Sequence, residues 1–218
     1  LRAELLNRGI YKTVSTILTQ VLVDPYDEAF YKPVKVIGRY LTAEEAEIEE
    51  QKGNYVIEEP GKGFRRIVSS PTPKDIIEID AIRTLVDAGQ IVIACGGGGI
   101  PVLQQGNELK GASAVIEKDL ISGKLAELLD ADMLMILTNE DQVCIQYHSD
   151  HPQPLFHVTA DEVKTHIANQ EFGENAMLPK MVASVAFVSK KPGKTAIITS
   201  IDAAMDALHD KTGTIITA

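Results

Sequence analysis

The sequence predicts an α/β fold, a three-layer αβα sandwich with helices on both faces of a largely parallel sheet, and a small protruding lobe inserted in it. Three observations carry this prediction. Past Pro73, short β-branched runs alternate with amphipathic helical patterns, the rhythm of βαβ crossovers. One run, "IVIAC" at residues 91–95, is apolar throughout, as a strand covered on both faces should be, and it leads straight into four glycines. Before it, residues 24–73 change composition, with prolines, an acidic helix and a hairpin pattern, and read as the inserted lobe within one domain of residues 1–218.

Residues 1–8 form a helix that Gly9 stops, and "TVSTILTQVLV" at residues 13–23 follows as a β-branched strand. Inside the insert, Thr42 starts the helix "AEEAEIEE", whose acidic run is a solvated face, and "NYVIEEPGKGFRRIVSS" folds as a hairpin around Gly61 and Gly63. A helix over residues 74–88, ended by Gly89, precedes "IVIAC". Then come the helix "KDLISGKLAELLDA", the strand "MLMILT", the turn "NEDQ" and the strand "VCIQY". After a loop near "HSDHPQP", helices at residues 159–169, 177–190 and 201–209 flank the strand "KTAIITS", and "GTIIT" closes the chain as a last strand.

At 218 residues the chain can bury a substantial core, and with 44% hydrophobic and 24% charged residues wholesale disorder is excluded. The net charge of -10 argues against a general nucleic-acid binder, which needs a basic surface to displace counterions. No apolar run reaches the ~18 residues of a membrane-spanning helix, and no signal-peptide pattern opens the chain, so no membrane partner and a cytoplasmic location are expected. Cys95 and Cys144 sit in apolar runs and read as small buried hydrophobes rather than a disulfide. His148, His151 and His157 crowd a proline-broken loop, a poor frame for a metal; no metal-binding residues are assigned.

Gly96, Gly97, Gly98 and Gly99 follow the strand end where α/β sheets collect ligands, and a bare backbone there can cradle an anion. Two familiar phosphate loops fail to match. The dinucleotide pattern needs glycine where Pro101 stands, and the Walker pattern needs a lysine followed by Ser or Thr. A turn forced only by tight packing remains the competing explanation. Lys118 in "AVIEKDL" and Lys180 in "NAMLPKM" both fall near helix starts, and Lys35 sits in the insert within "KPVKVIG". Phosphoryl transfer asks a protein mainly to position reactants and neutralise spreading charge, so convergent lysines would suffice.

Together "ACGGGGIPV", "EKD" and "PK", with "KPVKVIG", "FRRIVSSPTPK" and "MLMILTNEDQV", resemble the carbamate kinases of the amino acid kinase superfamily along essentially the whole chain. The resemblance implies the amino acid kinase fold and reversible phosphoryl transfer between ATP and carbamate, giving ADP and carbamoyl phosphate. It implies ATP/ADP with Mg2+, a cytoplasmic homodimer, and net ATP synthesis. It makes Lys118, Lys180 and Lys35 the lysines at the phosphates, with Asp119 orienting them and helping hold the metal. Gly96 to Gly99 would line the carbamate side; Thr138, Asn139, Val143, Tyr147 and Met177 would lie on the adenine side. Family members begin with a "GGN" strand turn and a "GNGPQ" loop that are absent here, so the resemblance covers only the C-terminal two-thirds or so of a member, and an omitted N-terminal part is expected. "KVIG" and "AMLPK" also depart from the commoner "KPIG" and "SMGPK". A related kinase acting on another small carboxylate, and a non-catalytic nucleotide-binding subunit, stay open as alternatives.

Overall fold

The computed structural model describes residues 1–146, 151–173 and 176–218, in two compact units, Leu1–Glu117 and Lys118–Ala218. The first unit holds helix α1 (Arg2–Asn7), strands β1 (Val14–Thr16), β2 (Gln20–Val23) and β3 (Lys35–Leu41), and helix α2 (Ala43–Gln51). It continues with β4 (Tyr55–Glu59), β5 (Gly63–Val68), β6 (Pro73–Ile76), α3 (Ile79–Asp87), β7 (Ile91–Ile93), β8 (Ile100–Gln105) and β9 (Glu108–Gly111). The second unit holds α4 (Lys118–Leu128), β10 (Met133–Thr138), β11 (Cys144–Ile145), β12 (Gln153–Pro154), β13 (His157–Thr159), α5 (Ala160–Ala168), α6 (Met177–Val188), β14 (Thr195–Ser200), α7 (Ala204–Leu208) and β15 (Thr214–Thr217).

In the first unit β1 pairs in parallel with β7, and β2 pairs in parallel with β8. The run expected as one strand over residues 13–23 is therefore two, because Thr19 breaks it. Its hydroxyl donates to the Ile17 carbonyl at 3.0 Å and accepts the Cys95 N–H at 2.9 Å, and its carbonyl takes the Ile100 N–H at 2.8 Å. Propensity alone does not register such a bond, since its partner lies far along the chain. The helix expected over residues 74–88 begins later, at Ile79, because Pro73–Ile76 instead pairs antiparallel with β2. Strands β3, β5 and β4 form a separate antiparallel sheet, in that order, over residues of the composition shift. Helix α2 packs on it, started by a capping box in which Thr42 and Glu45 satisfy each other's backbone donors.

The second unit is built on the order β10-β14-β15-β13. The pairs β10/β14 and β13/β15 are parallel, whereas β14/β15 is antiparallel, so parallel crossovers coexist with reversed neighbours. Residues 196–200 of β14 are all buried, which explains why "AIIT" reads as a continuous apolar run. Its core takes Val143, Val163, Met181, Val188, Ile198 and Ile216, each at most 1% exposed. Among the described residues no helix is long and apolar enough to cross a membrane.

Candidate active site

The glycine turn is an insertion into a parallel pair. Between the two registered stretches one segment advances from Thr16 to Gln20, while the segment paired with it advances from Ile93 to Ile100, so the latter must bulge. Cys95 enters the bulge in the left-handed region at φ 55, and Gly97, Gly98 and Gly99 follow at φ 72, 107 and 80. The four glycines then divide by cause. A Cβ on Gly98 would lie 2.4 Å from the Ile116 carbonyl oxygen, and one on Gly99 would lie 2.5 Å from Val21 Cγ2; packing alone forbids side chains there. Gly96 and Gly97 are exposed, with nothing within 4 Å of a Cβ, so their bare backbone faces open space. Packing thus accounts for Gly98 and Gly99 and the left-handed backbone for Gly97, and only Gly96 has no local requirement for glycine. Cys95 beneath them is buried, and burial pushes its thiol up to about 11, a protonated and inert group.

The stretch "EKD" closes the first unit and opens the second. Glu117 takes the ammonium of Lys35, which β3 presents, in an ion pair within the first unit. Asp119, in the first turn of α4, takes the Lys180 ammonium at 2.8 Å within the second. Lys118, the first residue of α4, is exposed, and among the described residues no carboxylate holds its ammonium. Small residues set the Asp119–Lys180 distance: Gly123, one turn after Asp119, packs against Ala183, one turn after Lys180, with a Cβ at Gly123 only 3.2 Å from Ala183. Pro179 sits in the first turn of α6, where its missing N–H costs nothing.

A cavity of about 740 Å³ opens at the carboxyl end of β10. Thr138 and Asn139 line it from the strand end, Gln142, Cys144 and Gln146 from the following segment, and Met177 and Lys180 from α6. The loop after α5 supplies Glu171, Phe172 and Gly173. That loop is held by His166 of α5, whose Nδ1 is paired with Glu171 and whose ring meets Phe172 edge-on at 6.1 Å. A cavity of this size lined by apolar side chains, several amides and a lysine suits a planar base carrying an anionic tail.

Residues 13–200 match the model of the amino acid kinase family. The carbamate kinase of Clostridium perfringens is 49% identical over 98% of this chain and 68% of its own length. The carbamate kinase-like protein YqeA of Escherichia coli K12 is 47% identical over 99% of this chain and 70% of its own. The chain belongs to the carbamate kinases of the amino acid kinase family. The crystal structure of Giardia lamblia carbamate kinase bound to AMP-PNP superposes with a TM-score of 0.91 at 37% identity, covering 99% of this chain and 68% of that one. A crystal structure from Aeropyrum pernix K1 superposes with a TM-score of 0.93 at 36% identity. The chain has the amino acid kinase fold and spans about 70% of the length of these relatives.

Of the residues that the carbamate kinase resemblance singles out, the second unit brings Thr138, Asn139, Met177 and Lys180 to one cavity and Asp119 to Lys180. Val143 is a correction. It is fully buried in the core, its N–H is donated to Thr214 Oγ1 and its carbonyl accepts from Leu155, so neither side chain nor backbone is available to a nucleotide. Tyr147 and His148 lie outside the described residues. Cys144 is also corrected: it is half-exposed on the cavity wall rather than buried. Glu117, Phe172 and His166 were missed. The first stood in plain view inside "EKD"; the other two carry no local pattern, because their role follows from a loop folding back on α5.

Proposed function

We infer that the chain is a carbamate kinase, exchanging a phosphoryl group between ATP and carbamate. The observation that carries the reading is the Lys180–Asp119 pair, whose lysine lines the cavity, with Lys118 next to Asp119 in the chain. The base of the nucleotide lies along Phe172 and Met177, and its phosphates reach Lys180 and Lys118. The resemblance to the carbamate kinases assigns Lys35 of the insert, and the backbone N–H groups of Gly96 and Gly97, to the same reaction. A carbamate oxygen attacks the γ-phosphorus, the bond from that phosphorus to the β-bridging oxygen breaks, and ADP leaves with that electron pair. Carbamate is already anionic, so no general base is needed, and the lysines stabilise charge that spreads over the transferred group.

Mg2+ enters with the nucleotide as part of the substrate. Phosphate oxygens and water supply most of its ligands, as Mg2+ ordinarily requires. Asp119 has a second carboxylate oxygen to share with it. The reading places the protein in the cytoplasm as a homodimer, working toward ATP.

The test is ATP formation from carbamoyl phosphate, ADP and Mg2+, with sustained turnover expected. A second reading, a kinase for another small carboxylate, is favoured by the departures Val36 and Leu178, the latter packed against the core beside Met177. No turnover of carbamoyl phosphate, with ADP released from ATP when another small carboxylate is supplied, would select it; AMP-PNP binding with neither would point to a non-catalytic nucleotide-binding subunit.

A further inference from the structure

Resting on the kinase reading above, we propose that Glu171 reads the base of the nucleotide by accepting a hydrogen bond from the 6-amino group of adenine, and that His166 is the positioning residue that aims it. Both lie in the second unit. Glu171 and Phe172 line the cavity, and His166 of α5 touches both without lining it. The way α5 ends builds this contact. Past the cap residue Asn169, Gln170 turns into the left-handed region at φ 58 and its N–H donates to the Ile167 carbonyl at 3.0 Å, while the Glu171 N–H donates to the His166 carbonyl at 3.1 Å. These two bonds make a Schellman ending, which sets the residue two past the cap against the residue three before it. Such a contact is usually apolar; here it joins His166 Nδ1 to Glu171 Oε2.

A carboxylate has only lone pairs to offer, so the ring Nδ1 is the donor. The bond holds one oxygen of Glu171 and leaves Oε1 without a partner among the described residues. The two side chains are 22% and 25% exposed, mostly screened from the water that would loosen them. Other polar groups on the wall lack this fixity. Glu140 is exposed, and among the described residues nothing holds its carboxylate. Gln142 is tied through Nε2 to the Gly213 carbonyl at 3.1 Å, and an amide such as Gln146 or Gln170 can turn either its oxygen or its nitrogen to a ligand. Glu171 can only accept. Beside it the buried Phe172, with Met177, gives a flat heterocycle its apolar contact. A fixed acceptor next to that surface favours a base with an exocyclic amino group, because a base without one leaves the carboxylate facing it unpaired.

The experiment is titration calorimetry of ADP and of purine riboside diphosphate, which differ only in the 6-amino group, each with Mg2+, into the unsubstituted protein and into Glu171→Met, His166→Phe and His166→Asn. The unsubstituted protein should favour ADP by about 10- to 100-fold, the scale of a hydrogen bond to a charged group. Glu171→Met, which removes the acceptor, and His166→Phe, which keeps a ring against Phe172 but removes the donor, should each bring the preference below about threefold. His166→Asn, whose amide nitrogen can stand where Nδ1 stood, should keep it, with any loss of affinity shared by both nucleotides. A loop that is merely loosened loses both affinities together and leaves their ratio. A preference that survives in Glu171→Met, or is absent from an unsubstituted protein that binds both nucleotides, overturns the proposal, and one that survives in His166→Phe overturns the role of His166. Failure of the unsubstituted protein to bind either nucleotide overturns the kinase reading instead, and this inference with it. Matching far-UV spectra and unfolding midpoints across the set tie the ratios to the base rather than to misfolding.

Discussion

At the residue scale the site divides into groups that hold the fold and groups that are free to hold a ligand. Lys118 belongs to the second kind, and Lys180, paired with Asp119, to both. Replacing either by alanine should lower turnover on the order of 100- to 1000-fold, the usual cost of removing one preorganised charge-stabilising donor. Steady-state ATP formation from carbamoyl phosphate reads this, and near-normal rates in either variant would reject its role. Lys180→Ala should also cost stability, since it strands the mostly buried Asp119. The glycines permit a cleaner contrast. Gly98→Ala sets a Cβ against the Ile116 carbonyl at a positive φ, and should destabilise by roughly 2–6 kcal/mol from strain and overpacking together. Gly96→Ala meets no atom and has no positive φ, so its unfolding midpoint should stay put while carbamoyl phosphate turnover falls. Equal unfolding midpoints for the two variants would contradict the division of the turn.

At the element scale, helix approach sets the chemistry. α4 and α6 come close because Gly123 faces Ala183, and one turn away the same closeness brings Asp119 to Lys180. Gly123→Val should push the helices apart, weaken the ion pair and reduce both stability and turnover, whereas Gly123→Ala should do so only slightly. Urea unfolding and turnover measured on the pair check this; a harmless valine would show that the helices are set elsewhere. The antiparallel sheet carries a pH signature. Hydrogen bonding from Arg39, then from the Thr42 backbone, holds the Glu45 carboxyl down to about 2 from 4.5. A depressed carboxyl contributes stability that is complete above its unfolded value and lost as pH falls toward its folded one. Urea midpoints of the unsubstituted protein and Arg39→Met should therefore converge as pH drops from 4.5 toward 2, with a gap that stays small because the pair is exposed. A gap that widens on acidification would reverse the assignment.

At the scale of the whole molecule, a ligand that binds only the folded chain stabilises it by mass action. AMP-PNP with Mg2+ at about 100 times its dissociation constant should add ~2.7 kcal/mol, a rise of roughly 5–10 °C in Tm for a chain this long. A thermal melt with and without the nucleotide measures it, and Lys180→Ala should blunt the rise. By itself the sequence determined the α/β alternation, the place of the glycine turn, the lysines of "EKD" and "PK", the Thr42 capping box and the family, because each is written in neighbouring residues or in fixed spacing. Only the tertiary structure decided that Thr19 breaks the first strand, that residues 73–76 leave the helix to pair with β2, and that Val143 is core. It alone also separated Gly98 and Gly99 from Gly96 and Gly97, and matched Glu117 to Lys35 and Asp119 to Lys180. The physical reason is common to all of these: each depends on a contact between groups distant along the chain, and periodicity and propensity report only on neighbours.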